Sequence, residues 1–196
     1  MQVLTLIILQ SLTFYIYINY LYNRGTMRYL IVSDLHGDVE STKILIKKYH
    51  EFECKKIILL GDILSYDMDA NAKIVDMLNL FKNDVIAVKG NGERHYPNPF
   101  DFELRDHFLI TNKEANFLFV HGHELESNID LLMGVPHCYI VHGHTHRVRT
   151  YKSGDINFIN IGSIALPRGS SEKCFGVFEN NHIKIYTLDN KIITEI

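Results

Sequence analysis

Val141-His142-Gly143-His144-Thr145-His146 carries three histidines within five residues, directly after the apolar run Cys138-Tyr139-Ile140-Val141. The apolar run predicts a buried strand, and the histidines fall in the loop that follows it. A single histidine in such a loop is most often solvated or held by a backbone carbonyl. Repetition favours a functional site instead, because His121-Gly122-His123 follows a second apolar run at residues 116–120.

Three other apolar runs also end in polar side chains: Asp34 and His36 after residues 29–32, Asp62 after residues 57–60, and Asn91 after residues 85–88. In open α/β sheets ligands bind at the carboxyl ends of the strands, so side chains there can converge although they lie far apart in sequence. Aspartate, histidine and asparagine suit Mn²⁺, Fe²⁺, Ni²⁺ or Zn²⁺. The number of ligands indicates two metal ions, and Asp62 is the natural carboxylate to bridge them.

In this order the motifs resemble those of the calcineurin-like metallophosphoesterase superfamily, and most closely its small prokaryotic YfcE-type phosphodiesterases. The resemblance runs from about residue 27 to the C-terminus, and five ordered motifs in one domain are far more specific than any one alone. It implies an α/β fold, a four-layer αββα sandwich of two mixed β-sheets flanked by helices. The retromer subunit that has lost catalysis is similar in fold, so a protein-binding scaffold is an alternative.

The resemblance also implies how the ligands divide. The first metal would be held by Asp34, His36 and His146, and the second by Asn91, His121 and His144, with Asp62 shared between them. His123 is expected to orient a ligand or to contact a phosphate oxygen, and it joins Asp62 as a predicted catalytic residue. Two divalent cations are the predicted cofactors, with Mn²⁺ favoured over Ni²⁺, Fe²⁺ or Zn²⁺.

The third motif departs from the superfamily pattern, which has Gly-Asn-His-Asp where this chain has Gly90-Asn91-Gly92-Glu93. Glycine cannot transfer a proton to the leaving group. YfcE-type enzymes lack that histidine too, so activity is still expected, although monoesters with poor leaving groups are disfavoured. His95 is a candidate substitute, and a solvated loop histidine is the simpler interpretation.

These motifs predict a divalent-metal-dependent phosphodiesterase that uses a metal-bound hydroxide to cleave a small phosphodiester, with nucleotide-derived diesters among the candidates. The alternatives are a phosphomonoesterase, a nucleoside-polyphosphate hydrolase, or a non-catalytic scaffold. Seven intact candidate ligands argue against the scaffold. A formal net charge of −3 argues against binding to nucleic-acid polymers.

The chain divides into a hydrophobic N-terminal segment at residues 1–26 and one predicted phosphoesterase domain at residues 27–196. Residues 1–22 carry no charge and are long enough to span a bilayer, with Arg24 and Arg28 following. Two interpretations are open: an anchor in the cytoplasmic membrane, or an over-extended start before Met27. The second is preferred, and both place the domain in the cytoplasm.

Between the motifs, apolar spacing predicts helices over residues 40–52 and 70–81, capped by Asp38 and Asp67. Further strands are predicted at residues 117–120, 139–141, 147–152, 156–161, 174–179 and 183–188, with hairpin turns at residues 153–155 and 180–181. Residues 94–106, rich in Phe and Pro, are expected to form a wall or lid of the site. The three cysteines have no metal-type spacing and are expected in a reducing compartment.

Overall fold

The computed structural model describes residues 27–95 and 97–196. Its helices are α1 (Val39–Glu51), α2 (Met68–Asn79) and α3 (Leu125–Asp130), with a short 3-10 helix at Glu93–His95. Its strands are β1 (Tyr29–Val32), β2 (Lys56–Leu59), β3 (Val85–Val88), β4 (Leu104–Arg105), β5 (Phe108–Thr111), β6 (Asn116–Phe119), β7 (Cys138–His142), β8 (Val148–Ser153), β9 (Ile156–Ile161), β10 (Cys174–Glu179), β11 (His182–Thr187) and β12 (Ile192–Glu195).

The strands form two mixed sheets. The first sheet has seven strands in the order β12-β11-β10-β1-β2-β3-β4, and the second has five in the order β5-β6-β7-β9-β8. Strands β1 to β4 pair in parallel, as do β6, β7 and β9, whereas the outer strands pair antiparallel. The carboxyl ends of β1, β2 and β3 therefore share one edge of the first sheet, and those of β6 and β7 share one edge of the second.

Alternate side chains of each strand point to opposite faces of its sheet, and they form the apolar cores between the layers. On β1, Leu30 and Val32 face the core shared with α1 and α2, whereas Tyr29 and Ile31 face the core between the two sheets. On β6, Phe117 points into that inter-sheet core, and Leu118 points to a third core that includes residues of α3. Successive residues of a strand point to opposite faces, so strands buried on both faces read as continuous apolar runs. The predicted four-layer αββα sandwich is confirmed.

Most predicted elements are confirmed within a residue or two at their ends. Asp38 and Asp67 cap α1 and α2, each accepting hydrogen bonds from two backbone N–H groups of the first turn. Asn180 and Asn181 both have positive φ, as a type I′ hairpin turn requires. The three cysteines are buried and free.

Besides the short 3-10 helix, three strands and one helix have no counterpart in the prediction: β4, β5, β12 and α3. β4 has 2 residues and α3 has 6, too few for a period to be visible. The predicted N-terminal segment at residues 1–26 lies outside the described residues. Among residues 27–95 and 97–196, no helix is long and apolar enough to cross a membrane.

Candidate metal centre

The candidate ligands stand in loops whose backbone is held in an unusual conformation. Positive φ angles occur at Asp34 (58°), His36 (47°), Asp62 (49°), His144 (67°) and His146 (60°). The left-handed region is unfavourable for residues with a Cβ atom, and Asp, Asn and His tolerate it better than most. Such outliers persist where surrounding contacts impose them, and they concentrate at functional sites.

Backbone hydrogen bonds impose this conformation by joining neighbouring loops. The loop after β1 pairs with the loop after β2, because the N–H of His36 donates to the carbonyl of Asp62 at 2.9 Å and that of Gly37 donates to Ile63 at 2.9 Å. In the second sheet, the N–H of Gly143 donates to His121 at 2.9 Å. The sheet edges are therefore extended into the site as paired loops.

Asp34, His36 and His146 form the first ligand group. Asp34 is fully buried, and its Oδ2 accepts hydrogen bonds from the Ser33 hydroxyl at 2.6 Å and from the N–H of His144 at 3.0 Å. Its Oδ1 has no hydrogen bond, yet lies 3.2 Å from Nε2 of His146 and 3.7 Å from Nε2 of His36. The two Nε2 atoms are 3.1 Å apart.

Asp62, Asn91, His121 and His144 are the candidate ligands of a second group. Nε2 of His121 lies 3.2 Å from Oδ1 of Asn91, 3.2 Å from Nδ1 of His144 and 3.5 Å from Oδ2 of Asp62. The same Oδ2 of Asp62 lies 3.7 Å from Nε2 of His36 in the first group. One carboxylate oxygen thus stands between the two groups, where a bridging ligand would be needed.

The tautomer of each histidine ring determines which of its nitrogens can bind a cation. Nδ1 of His121 donates to the carbonyl of Leu60 at 2.6 Å, and Nδ1 of His146 donates to that of Leu166 at 2.6 Å. When either ring is neutral, its Nε2 carries a lone pair that faces carboxylate or amide oxygens, so a cation can take the place that a proton holds in the protonated ring. Ligands about 2.1 Å from one cation lie about 3.0–3.4 Å from each other. These residues therefore fit divalent cations.

The ionisation of the groups follows the same geometry. Burial alone would raise the pKa of Asp34, but contacts with His146, His36 and the Ser33 hydroxyl hold it well below its usual range. Burial alone would lower the pKa of His121, but the carboxylates of Asp62 and Asp34 raise it instead. The carboxylates are thus ionised, and the pocket between them attracts positive charge.

Two glycines allow the loops to approach this closely. A Cβ atom on Gly143 would lie 1.7 Å from Oγ of Ser33 and 2.6 Å from Oδ2 of Asp34. A Cβ atom on Gly90 would lie 2.1 Å from Oδ1 of Asp62 and 2.3 Å from its backbone nitrogen. Any side chain at either position would displace a candidate ligand.

Glu93 is a residue of the site whose role sequence reasoning missed. Its carboxylate is buried and accepts backbone hydrogen bonds from Asp62 at 2.8 Å, Ile63 at 2.6 Å, Leu64 at 3.3 Å and Gly90 at 2.7 Å. It therefore holds the loops that carry Asp62 and Asn91 in one relative position. Its place in the motif after Gly92 was visible in the sequence, but the four converging N–H groups were not.

The predicted residue His123 lies beside the second group. Its ring centre is 5.4 Å from that of His121 and 6.2 Å from that of His144. Neither ring nitrogen has a hydrogen-bond partner, and burial together with the charges of His121 and Arg94 lowers its pKa. A neutral imidazole with a free N–H is suited to donate to an oxygen entering the site. The side chain of His95, the other candidate proton donor, is not among those described.

A mixed α/β sandwich with two adjoining groups of carboxylate and imidazole ligands at the sheet edges defines a metal-dependent phosphoesterase fold and site. Residues 27–182 match the family model of the calcineurin-like phosphoesterase superfamily domain. The chain belongs to this superfamily, which makes it a metal-dependent hydrolase of phosphoric esters.

Relatives and solved structures agree with this membership. The chain is 27% identical over 186 residues to phosphodiesterase YfcE of Escherichia coli K12, covering 87% of this chain and 97% of that protein. The solved structure of that phosphoesterase from E. coli matches with a TM-score of 0.71 at 24% identity, covering 87% of this chain and 98% of the other. Vacuolar protein sorting 29 of Cryptosporidium parvum shares the fold, with a TM-score of 0.59 at 18% identity and coverage of 87% and 98%.

Proposed function

We propose that this protein is a phosphodiesterase with a dinuclear divalent-metal centre. The observation that carries the proposal is the convergence of carboxylate, imidazole and amide atoms, above all Oδ1 of Asp34, which lies 3.2 Å from Nε2 of His146. A buried carboxylate facing imidazole nitrogens needs a proton or a cation between them, and metal binding would release the proton and take its place. In this proposal Asp34, His36 and His146 hold one metal, Asn91, His121 and His144 the other, and Asp62 bridges both.

When bound, the two cations would supply an activated hydroxide and stabilise charge on the phosphoryl oxygens. The protein's own part is to hold that geometry, since Gly92 and Glu93 fix the Asp62 loop through hydrogen bonds to Oδ1 and to the backbone. His123, with its free ring nitrogens, is assigned to a phosphoryl oxygen.

The same loop accounts for the proposed preference for diesters. Gly92 offers no proton to a departing alkoxide, so substrates whose leaving group needs no general acid are favoured. A phosphomonoesterase that acts on alkyl esters would need another donor. The proposed substrate is a small phosphodiester with a low-pKa leaving group, and nucleotide-derived diesters of this kind are among the candidates. Mn²⁺ is the proposed metal, with Ni²⁺, Fe²⁺ and Zn²⁺ as alternatives, and the cytoplasm is the proposed compartment.

The test is hydrolysis of an aryl phosphodiester beside the matching monoester, using protein stripped by a chelator and then given Mn²⁺. We expect diester cleavage that appears only with metal and little turnover of the monoester. Asp62→Ala and His146→Ala should abolish cleavage and lower the metal content measured by elemental analysis. Unchanged metal content and turnover in these variants would refute the site, and preferential cleavage of the monoester would refute the diester assignment.

A further inference from the structure

A cavity of about 230 Å³ opens directly beside the candidate metal ligands, and we call it the side pocket. His36, Asp62 and Asn91 line it on the metal side. Its apolar lining comes from two separate segments of the chain, with Leu64 and Tyr66 in the loop after β2, and Pro97, Pro99 and Leu104 in the segment that leads into β4. A phosphodiester bound at the metals would therefore place one substituent next to this lining.

The chemistry of the side pocket favours an uncharged apolar group. Glu93 lines it, but its carboxylate already accepts four backbone hydrogen bonds. No lysine or arginine is found among the described residues that line it. In the proposed metal-loaded site Asp62 is neutralised by the cations, so a second phosphate group in the side pocket would find no lysine or arginine among the described lining residues to pair with. A polyphosphate chain is therefore disfavoured, and contact area with the apolar walls is the attraction that remains.

The volume of the side pocket indicates that the bound substituent is a single ring system. An apolar cavity of about 150 Å³ holds a benzene molecule, whereas pockets for drug-sized ligands begin at about 300 Å³. The side pocket falls between these limits. Tyr66 lines the pocket although its side chain is 91% exposed. An exposed aromatic ring beside a cavity is available to stack on a second ring, which would gain from stacking as well as from burial.

We infer that the side pocket binds a planar aromatic substituent of the phosphodiester, either an aryl group or a nucleobase, and that it thereby selects the substrate. The inference rests on the proposed phosphodiesterase function. Recognition would depend on ring area and on the Ser65 hydroxyl, which accepts from the N–H of Asp67 and can still donate. The side chain of Asn71 is engaged with the backbone of Ser65.

The experiment measures inhibition constants of non-chromogenic diesters against metal-dependent cleavage of an aryl diester. Dimethyl phosphate, methyl phenyl phosphate and thymidine 5′-methylphosphate are compared, so that one aromatic group can enter the pocket whichever ester oxygen it is attached to. We expect the aromatic diesters to bind at least about tenfold more tightly than dimethyl phosphate, because even one methylene in an apolar pocket gives about tenfold. Comparison of the inhibition constants of methyl phenyl phosphate and thymidine 5′-methylphosphate shows whether the pocket prefers an aryl group or a nucleobase.

Variants assign the effect to the side pocket. Leu64→Ala and Tyr66→Ala should each reduce the aromatic preference by removing contact area, while the constant for dimethyl phosphate and the metal content stay unchanged. Tyr151→Ala is the matched control, because Tyr151 is also exposed but lies on β8 and is not among the residues lining the pocket.

Equal constants for all three diesters in the unaltered protein would overturn the side-pocket inference while leaving metal-dependent diester cleavage, and hence the proposed function, intact. An aromatic preference that is unchanged in both Leu64→Ala and Tyr66→Ala would overturn it as well. Absence of metal-dependent cleavage in the unaltered protein would overturn the proposed function, and the inference with it.

Discussion

Replacing Glu93 by glutamine tests whether one buried carboxylate sets the geometry of the metal centre. The substitution keeps shape and volume but leaves a single acceptor oxygen where the carboxylate has two. Oε2 accepts from the N–H groups of Asp62 and Gly90, and Oε1 from those of Ile63 and Leu64. Whichever oxygen becomes the amide nitrogen, two backbone donors then face another donor.

The magnitude follows from those two donors. A buried donor without an acceptor costs about 1–3 kcal/mol, so Glu93→Gln should lower the free energy of unfolding of the metal-free protein by about 2–6 kcal/mol. Total stabilities are only about 5–15 kcal/mol, so the loss is easily measured by urea denaturation. Mn²⁺ affinity, measured by competition with a chromophoric chelator, should fall about 10–100-fold, since groups that orient ligands have effects of this size.

Glu124→Gln is the matched control for this substitution. Glu124 pairs with Arg94 at 2.6 Å, but both side chains are about half exposed, so stability should change by no more than about 1 kcal/mol. A Glu93→Gln protein that is as stable as the control and binds Mn²⁺ as tightly as the unaltered protein would contradict this role of Glu93.

Three further predictions concern the ligands and their neighbours. His144→Gly should leave the metal-free protein about 1 kcal/mol more stable than His144→Ala in urea denaturation, because only glycine adopts the positive φ without strain; equal stabilities would contradict an imposed backbone. Asp62→Asn should lower the occupancy of both metals in elemental analysis, and retention of two would exclude a bridge. Burial lowers the pKa of His142 to about 4. As pH falls, His142 is therefore protonated in the unfolded chain before it is protonated in the folded protein. Up to about 3 kcal/mol of the free energy of unfolding should be lost between about pH 6.5 and pH 4. His142→Asn should lose less over that range in the metal-free protein, and an unchanged pH dependence would argue against a neutral buried ring.

Much of the fold and the ligand set could be predicted because both depend on local patterns. Strands such as β1 and β2 are buried on both faces and read as continuous apolar runs, and a polar residue after each run marks the sheet edge. Because neighbouring parallel strands end at the same edge of a sheet, the residues that follow them lie close together. The contacts among the seven predicted ligands agree with this expectation. Their division between two metals stays a prediction.

The missed features depend on three-dimensional convergence. Nothing local distinguishes Glu93 from an exposed loop carboxylate, because the N–H groups that it accepts come mostly from residues about 30 positions earlier. The expected wall at residues 94–106 is confirmed by Pro97, Pro99 and Leu104 in the side pocket. Its partner wall at Leu64 and Tyr66 was not predicted, because the loop after β2 carries no pattern that shows which way its side chains face.

The candidate ligands come from both sheets, with Asp62 following β2 and His121 following β6, and their facing atoms are 3.5 Å apart. A slip of one sheet across the other by a single residue, about 3.3 Å, would separate them. In the inter-sheet core, Phe117 contacts Phe178 with ring centres 4.9 Å apart. This packing fixes the position of one sheet on the other and thereby the distances between the candidate ligands. Substitutions in that aromatic layer should therefore lower metal affinity even where the protein still folds.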